Sequence, residues 1–282
     1  MSKGSSDNAH SRTNSRVYEK QPGIPKFEGF EYEPKTRDYA VLIPIINEGE
    51  RIRKELERAK SHGISKSADI IICDGGSTDG STEESKLRDL DVNTLLVKRD
   101  AGKQGAQLRM GIYFALERGY RGIITIDGNN KDSIEDIPRF IAKLQEGYDF
   151  VQGSRFLRGG KAINTPLSRL LAVKLIHAPV ISLAAHQRFT DTTNAYRAYS
   201  AEYLKDERVQ PLRDVFMTYE LLAYLSVRAT QIGLKACEIP VTRAYPDSGK
   251  VPTKISFFKG NSELLKILIA NARGKYNPEE PS

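Results

Sequence analysis

The run Ile72-Cys73-Asp74-Gly75-Gly76-Ser77-Thr78-Asp79-Gly80-Ser81 is the most informative part of this sequence, and Ile123-Ile124-Thr125-Ile126-Asp127-Gly128-Asn129 repeats its pattern. In both runs, apolar and mostly β-branched residues stop at an aspartate that glycine follows. This pattern is typical of a buried parallel strand that delivers a carboxylate to the carboxyl edge of a sheet, where open α/β sheets bind ligands. The two aspartates therefore predict a site for a nucleotide, a metal-bound diphosphate, or both.

The composition is that of a soluble globular protein of 282 residues, with 39% hydrophobic and 28% charged residues. A chain of this length can bury one large core. The formal net charge of +7 favours anionic partners such as nucleotides, phosphorylated lipids or acidic membranes. The sequence has neither a basic helix nor the interleaved aromatic and basic residues of a nucleic-acid reader, so we expect no nucleic-acid partner.

Cysteine usage and apolar segments indicate the compartment. Cys73 and Cys237 fall in predicted strands, which is typical of reduced core thiols in a cytosolic protein. The polar N-terminus lacks the apolar region of a signal peptide. The apolar segments 170–185 and 264–272 do not reach about 18 uninterrupted apolar residues, so we expect no membrane span. We predict a cytoplasmic location, with peripheral contact at the inner face of a membrane left open.

The helix predicted at residues 167–188 has two interpretations. It packs under the sheet, which we favour, or it lies on a membrane with Arg169, Lys174 and Arg188 at the headgroups. A membrane position gains weight if the substrate is a lipid phosphate, because such a substrate stays in the bilayer.

The chain divides into three segments. Residues 1–36 are rich in Ser, Asn, Lys, Pro and Gly without a period, which predicts a flexible N-terminal arm. From Tyr39 onwards, strands alternate with helices of a length that builds βαβ units around a mostly parallel sheet. We therefore predict one α/β domain at residues 37–273 and a flexible tail at residues 274–282. After Ser154 the alternation becomes irregular, and we expect this half of the domain to cover the site.

Two common phosphate-binding motifs are absent from the sequence. No G-x-G-x-x-G follows the first predicted strand, and no G-x-x-x-x-G-K-[ST] occurs. Carboxylates stand where those folds have glycines. Such a sheet edge suits a base and ribose, and a divalent cation held against a diphosphate.

Five motifs in order carry a resemblance to a known family. They are Val41-Leu42-Ile43-Pro44-Ile45-Ile46-Asn47-Glu48, Asp74-Gly75-Gly76-Ser77-Thr78-Asp79-Gly80-Ser81, Gly102-Lys103-Gln104-Gly105-Ala106, Asp127-Gly128-Asn129 and Asp191-Thr192-Thr193-Asn194-Ala195-Tyr196-Arg197-Ala198-Tyr199. Over about residues 39–255 the chain resembles the family-2 glycosyltransferases of the GT-A fold. The last motif, with Gly153-Ser154-Arg155-Phe156 and Gly159-Gly160, resembles the dolichyl-phosphate mannose synthase and polyprenyl-phosphate glycosyltransferase branch. The resemblance implies a Rossmann-like, mostly parallel sheet flanked by helices in a single catalytic domain.

The resemblance also implies roles for individual residues. Asp74 would contact the uracil or guanine base, and Asp127 would hold Mg²⁺ or Mn²⁺ and the diphosphate. Arg155 and Arg169 would face the acceptor phosphate, whose oxygens match the planar fork of a guanidinium. The donor-binding residues implied in this way are Pro44, Asn47, Glu48, Asp74, Asp79, Lys103, Asp127, Gly128, Asn129, Arg197 and Lys250.

One position departs from the family pattern. Asn129 stands where a second aspartate is usual, and Asn130 and Lys131 stand where an amide or histidine often follows. The carbonyl oxygen of asparagine can bind Mg²⁺ or Mn²⁺, but it brings no charge. We therefore expect a lower metal affinity, or partial neutralisation of the diphosphate by Lys131.

The mechanism depends on the acceptor. Enzymes of this family invert the configuration of the sugar, because the nucleophile displaces the nucleoside diphosphate from the far face. A lipid phosphate is already an anionic nucleophile and needs no base. A sugar hydroxyl needs a carboxylate within about 2.6–3.2 Å to take its proton. Asp191 and Glu220 are the candidate bases, and the sequence does not choose between them. Each candidate also has a structural alternative, such as a helix cap for Asp74 and Asp79 or an ion pair for Arg155 and Glu220.

We favour transfer of a sugar from a UDP- or GDP-linked donor to a polyprenyl or dolichyl phosphate. Transfer to a saccharide hydroxyl in surface glycan or polysaccharide assembly is the first alternative. A non-catalytic protein that binds a nucleotide sugar is the second, supported by Asn129 alone. The expected partners are a nucleotide sugar and a lipid phosphate or glycan acceptor, and a homo-oligomer is left open.

Overall fold

The computed structural model describes residues 14–246 and 257–279, which build one large sheet and one small one. The large sheet contains β1 (Asn14–Tyr18), β2 (Phe27–Glu31), β3 (Tyr39–Ile45), β4 (Asp69–Asp74), β5 (Val92–Lys98), β6 (Gly122–Thr125), β7 (Phe150–Ser154), β9 (Arg197–Ser200) and β10 (Ala236–Pro240). The small sheet pairs β8 (Lys161–Ile163) with β11 (Thr242–Ala244) in parallel.

The helices of the described residues connect these strands. They are α1 (Glu50–Ser61), α2 (Glu84–Asp89), α3 (Gln104–Glu117), α4 (Ile137–Gln145), α5 (Leu167–Ala172), α6 (Ala178–Ala184), α7 (Ala201–Lys205), α8 (Glu220–Gln231) and α9 (Phe257–Ala272). A π-helical turn, Val173–His177, joins α5 to α6 into one continuous helical segment.

The strand order of the large sheet is β1-β2-β5-β4-β3-β6-β9-β7-β10. The central strands β5, β4, β3 and β6 are parallel, whereas β9 is antiparallel to both of its neighbours. The chain runs from β3 to β4 and β5 on one side and then crosses to β6 on the other, so the order reverses at β3. Open α/β sheets bind ligands outside the carboxyl ends of the strands at such a reversal. Pro44, Asp74 and Asp127 all lie at this edge.

The central strands are apolar because helices cover the sheet on both faces. Every residue of β3 except Pro44 is buried, and all six residues of β4 are buried. One apolar cluster packs under α3, α8 and α9 and the other under α1 and α4. Parallel strands buried on both faces show this nearly continuous apolar sequence. The predicted α/β class, a mostly parallel sheet flanked by helices in a single domain, is confirmed.

The prediction of a flexible arm at residues 1–36 is wrong for its described part. β1 and β2 form an antiparallel hairpin, and β2 extends the large sheet by pairing antiparallel with β5. Phe27 is fully buried and stacks on Tyr18, with 4.3 Å between the ring centroids. The sequence hides this hairpin because its few apolar side chains pack on α3, far along the chain, and the composition around them is polar. Residues 1–13 lie outside the described residues.

The predicted flexible tail, residues 274–282, is likewise wrong in its described part. Tyr276 is buried, its ring packs near that of Phe216, and its backbone carbonyl accepts a hydrogen bond from Arg213. Residues 280–282 lie outside the described residues.

The helical segment Leu167–Ala184 corrects two further expectations. By length and composition it is apolar enough to cross a membrane, although the sequence was expected to hold no such segment. Pro179 does not end it, and this residue lies directly after the π-helical turn Val173–His177, at the start of α6. Only 17% of the segment is buried. The favoured interpretation, in which this helix packs under the sheet, is therefore wrong.

Replacement of Phe27 by alanine tests the docked hairpin. We expect Phe27→Ala to lower the free energy of unfolding by about 3–5 kcal/mol, because it removes a fully buried ring and leaves a cavity. Urea unfolding measures the change. The control is Val17→Ala on the same hairpin, whose side chain is 53% exposed and whose loss should cost within about 0.5 kcal/mol. Equal, near-zero effects of both variants would show that the hairpin is not docked.

Candidate active site

Hydrogen bonds tie the loop after β3 to the loop after β4. The amide oxygen of Asn47 accepts from the Thr78 N–H at 2.8 Å. The Gly49 N–H donates to Ser81 Oγ at 2.7 Å, and that hydroxyl donates to Asp79 Oδ1 at 2.6 Å. Burial raises the pKa of Asp79, but the hydrogen bonds from Ser81 outweigh it and the pKa is lowered overall. The two loops form a fixed wall at the carboxyl edge of the sheet.

Asp74 organises the turn that follows β4. Its side chain is buried, and its Oδ2 accepts from the backbone N–H groups of Gly76 at 2.8 Å and Ser77 at 2.9 Å. The Ser77 hydroxyl donates to the other oxygen, Oδ1. Both carboxylate oxygens are therefore used by the turn itself, and contact between Asp74 and a base stays a prediction.

Asp127 lies where β6, α3 and β11 meet. Its Oδ1 accepts from Gln104 Nε2 at 3.0 Å, and its Oδ2 accepts from Arg243 Nη2 at 3.2 Å. The next residue must be glycine, because a Cβ at Gly128 would lie 2.5 Å from Ile45 Cγ2. The loop that carries Asp127 thus rests directly on the end of β3.

Arg243 is the functional residue that sequence reasoning missed most clearly. The sequence predicted no role for it, whereas the structure places it on β11, buried between Asp127 and Asp132. Burial lowers the pKa of Arg243, but the charges of Asp132 and Asp127 outweigh burial and raise it, so the guanidinium is charged. A cation fixed beside Asp127 suits a polyphosphate. Its only signal in the sequence is its position two residues after Val241, a residue that the structure shows to be buried.

The oxygens near Asp127 fit a divalent cation. Asn129 Oδ1 is buried and has no hydrogen-bond partner among the described residues, so it is free to bind a cation. No group of three or more His, Cys, Asp or Glu side chains that could hold an ion occurs in the described ranges. Mg²⁺ is commonly bound by one or two protein oxygens together with substrate phosphates and water. Asp127 and Asn129 fit that mode, and they do not form a complete cage.

Side chains of helix α1 form hydrogen bonds with the loop that follows Asn129. Glu55 Oε2 accepts from the Asn130 N–H at 2.7 Å, and Arg58, one turn later, donates to Asn130 Oδ1 at 3.0 Å and to the Asp132 carbonyl at 3.2 Å. Asn130 has a left-handed backbone, with φ of 56°. Glu55 is fully buried, and burial raises its pKa well above the usual value. A buried carboxyl group with a raised pKa therefore lies under the loop that carries Asp127 and Asn129, which the sequence did not predict.

Arg155 and Asp191 form a buried, two-point ion pair. Arg155 Nε donates to Asp191 Oδ2 at 2.6 Å, and Nη2 donates to Oδ1 at 2.9 Å. Asp191 is fully buried and Arg155 is 3% exposed. The same guanidinium donates to Thr193 Oγ1 at 2.9 Å and lies over the ring of Phe156. The structure thus joins Asp191, predicted as a candidate base, to Arg155, predicted as a catalytic residue that also faces the acceptor phosphate.

Three cationic side chains lie around Tyr245, at the side of the site that faces α5. Arg169 Nη1 donates to its hydroxyl at 2.6 Å, and Lys131 Nζ lies 5.0 Å from its ring centroid. Arg243 lies 5.8 Å from the same centroid. Burial raises the pKa of Tyr245, but Arg243 and Arg169 outweigh burial and lower it. Arg169, predicted to face the acceptor, is therefore linked to the residues around Asp127.

Glu220 is the first residue of α8, and its carboxylate holds the segment that precedes the helix. Its Oε2 accepts from the Thr218 N–H at 2.6 Å, and its Oε1 accepts from Thr218 Oγ1 at 2.7 Å. The backbone of this segment contacts the start of α3, because the N–H of Gly105 donates to the Thr218 carbonyl and that of Lys103 to the Met217 carbonyl. Glu220 thus lies on the α3 side of the site, and Lys103 is exposed there.

The remaining predicted donor residues are placed as follows. Arg197 is 2% exposed, and its guanidinium donates to the backbone carbonyls of Asn194, Thr192 and Leu222, so its contacts within the described residues are structural. Pro44 is half-buried at the end of β3, and Glu48 accepts from Arg51 Nε at 2.8 Å. Lys250 lies outside the described residues.

Comparisons with known proteins identify the family that the chain matches and several relatives. The family described as "Glycosyl transferase family 2" matches residues 40–207. The chain is 27% identical to the polyprenol monophosphomannose synthase of Mycolicibacterium smegmatis, over 85% of this chain and 89% of that protein. It is 29% identical to the undecaprenyl-phosphate mannosyltransferase of Micrococcus luteus, over 71% of this chain and 81% of that protein.

Solved structures show the same fold. The glucosyl-3-phosphoglycerate synthase of Mycobacterium tuberculosis, in complex with Mn²⁺, UDP and phosphoglyceric acid, superposes with a TM-score of 0.60 at 17% identity. The match covers 86% of this chain and 80% of that one. A complex of the same synthase holds Mg²⁺ and UDP, with a TM-score of 0.54 and 18% identity.

The buried Glu55 gives a pH-dependent prediction. Since its pKa is raised in the folded state, Glu55 keeps its proton after the same group in the unfolded chain has ionised. Its contribution to stability therefore falls as pH rises above about 4.3, the unfolded value. Glu55→Gln has the same shape and no charge, so we expect its melting temperature to rise relative to the original protein between pH 4 and pH 8. A difference that stays constant across this range would show that Glu55 is ionised in the folded protein.

Proposed function

Because the chain belongs to glycosyl transferase family 2, we propose that it is an inverting enzyme that moves a sugar from a nucleoside diphosphate sugar to a polyprenyl phosphate. The names of its relatives in Mycolicibacterium smegmatis and Micrococcus luteus support a polyprenol-linked acceptor. We place the reaction in the cytoplasm, at the surface of the membrane that holds the acceptor.

One observation carries the choice of acceptor. Neither of the two predicted bases has a carboxylate oxygen that lacks a donor, since Asp191 is paired with Arg155 and both oxygens of Glu220 accept from Thr218. A hydroxyl acceptor would need one of these groups to take its proton. A phosphate acceptor is already anionic at neutral pH and needs no base. The state of the two carboxylates therefore favours the phosphate.

The donor diphosphate would lie between the end of β6 and β11. Asp127 and Asn129 supply oxygens for Mg²⁺ or Mn²⁺, which when bound neutralises charge on the diphosphate. Arg243 and Lys131 are the cations nearest to Asp127 on the Tyr245 side, and we assign them to the phosphates of the leaving group. Fixed cations at this place stabilise the negative charge that grows on the nucleoside diphosphate as the sugar leaves.

The acceptor phosphate would lie on the α5 side of the site. Arg169 reaches this region from α5, and Arg155 reaches it from the end of β7. Asp191 then acts as a positioning residue, because its two oxygens fix the plane of the Arg155 guanidinium. Asp74, Asn47 and the loops that they organise would hold the base of the donor.

A product assay tests this proposal. The purified chain is incubated with radiolabelled UDP- and GDP-sugars, Mn²⁺ or Mg²⁺, and either a polyprenyl phosphate or a soluble oligosaccharide. We expect label in an organic-extractable, mild-acid-labile product with one donor, and no such product from Asp127→Ala. Label in the oligosaccharide alone would favour the hydroxyl alternative. Tight donor binding without transfer to either acceptor would favour a non-catalytic binding protein.

Glu220→Gln separates the two acceptor classes by rate. Glutamine keeps the length of the side chain and one acceptor for Thr218, so we expect kcat with polyprenyl phosphate to fall less than about tenfold. Removal of a general base would lower kcat by about 10²–10⁴-fold. Donor affinity, measured in parallel, controls for damage to the site. A fall of more than a hundredfold with unchanged donor affinity would show that Glu220 is the base.

Asn129→Asp tests the metal site. The substitution places a second carboxylate where Asn129 Nδ2 lies 3.4 Å from Asp127 Oδ2. We expect the variant to melt lower without metal, because two like charges then face each other, and to need about tenfold less Mn²⁺ for half-maximal transfer. Thermal melting with UDP and GDP, with and without Mn²⁺, gives an independent reading. An unchanged metal requirement would show that Asn129 does not touch the ion.

A further inference from the structure

A row of leucines faces outwards from the segment Leu167–Ala184. Leu167, Leu171, Leu175 and Leu183 are spaced by multiples of four residues and are 68%, 47%, 69% and 78% exposed. Ile176 beside them is also exposed. Soluble proteins rarely leave so many large apolar side chains together in water, and such a surface usually marks an interaction site. We call these four side chains the leucine row.

The π-helical turn keeps the leucine row on one side of the helix. In a regular α-helix a spacing of four residues drifts by about 40° per step, so four steps from Leu167 to Leu183 would drift by about 160°. A π turn accommodates one extra residue and takes back about 100°. The turn at Val173–His177 therefore reduces the drift to about 60°. The turn thus keeps the four leucines closer to one side of the helix than a regular α-helix would.

The opposite face of the segment is fastened to the protein. Val173, Ala178 and Ile181 are buried. Ser182 Oγ accepts from the Phe189 N–H at 2.9 Å, and Gln231 Nε2 donates to the Ala184 carbonyl at 3.0 Å. A helix held along one side in this way cannot be surrounded by lipid, so it would lie in the plane of a bilayer surface rather than cross it.

The charge around the leucine row fits an anionic surface. Residues 167–188 contain Arg169, Lys174 and Arg188 and no aspartate or glutamate, and Lys174 and Arg188 are exposed. Helices that lie in a membrane interface combine an apolar edge with lysines and arginines in this way, and anionic headgroups attract them.

The same helix reaches the candidate active site. Arg169, two residues after the first leucine of the row, donates to the hydroxyl of Tyr245. Lys174 Nζ and the guanidinium of Arg155 each lie 5.2 Å from the ring centroid of Phe156. Insertion of the leucine row would therefore bring Arg155 and Arg169 close to the depth of the lipid headgroups.

We propose that the leucine row docks this protein on an anionic lipid bilayer and thereby sets the height of the acceptor site above it. The proposal rests on the proposed function for the choice of acceptor, and the docking itself can be tested without it. The occupant of the row is the lipid surface, and the site then receives a phosphate that stays anchored in the same leaflet.

Vesicle sedimentation with the full chain tests the docking. The probes are vesicles of phosphatidylcholine alone and with about one third phosphatidylglycerol. We expect binding to the anionic vesicles, and about a tenfold or greater loss of affinity in Leu171→Ser/Leu175→Ser/Leu183→Ser. Lys174→Glu should weaken binding to the anionic vesicles only. The matched control is Val17→Ser/Val215→Ser, which removes exposed apolar side chains elsewhere and should bind normally.

Activity on two acceptors separates this proposal from the proposed function. The triple variant should keep transfer to a short, water-soluble prenyl phosphate and lose transfer to a long-chain acceptor in vesicles. Unchanged vesicle binding by the triple variant would overturn the docking surface. So would a dimer that the triple variant turns into a monomer, if neither binds vesicles, because a second copy would then cover the row. Vesicle binding without transfer to either acceptor would uphold the surface and reject the proposed function.

Discussion

The carboxylate of Asp127 holds the site together, because three separate parts of the chain converge on it. It lies two residues after the end of β6, accepts from Gln104 at the start of α3, and accepts from Arg243 on β11. Arg243 also forms an ion pair with Asp132. The loop that carries Asp132 is held by hydrogen bonds to Glu55 and Arg58 of α1. A charge buried without a partner costs several kcal/mol, so each of these groups constrains the position of the next. The geometry of the loop that carries Asp127 and Asn129 is thus set by the packing of α1 and β11 on the sheet.

The sequence predicted those parts of the structure whose signals are local. β3, β4 and β6 are continuous apolar runs, and the aspartates at or just after the ends of β4 and β6, Asp74 and Asp127, are each followed by glycine. Arg243 could not be found in this way, since its partner Asp127 is 116 residues away and nothing around it differs from a solvated basic loop. The docked hairpin was hidden because Phe27 and Tyr18 are two aromatic rings in a polar stretch. The π turn was hidden because no composition marks it.

The ion pair between Arg155 and Asp191 holds a buried guanidinium in one orientation. A bidentate pair out of water costs desolvation of both partners, and it contributes little to stability compared with apolar residues of the same shape. What such a pair provides is a guanidinium whose plane and position are fixed before a ligand arrives. Thr193 and the ring of Phe156 fix the same group further. This arrangement suits recognition of a phosphate, whose oxygens demand direction as well as charge.

The position of the leucine row and the chemistry of the acceptor support each other. A polyprenyl phosphate brings its own negative charge, so the enzyme needs fixed cations and no base, and the two candidate bases are engaged elsewhere. The same acceptor cannot leave the bilayer, so the cations must be held at the height of the headgroups. Arg169 lies on the helix that carries the exposed leucines and bonds to Tyr245 beside Arg243. One helix thus joins the surface that would meet the lipid to the residues that would meet the phosphate.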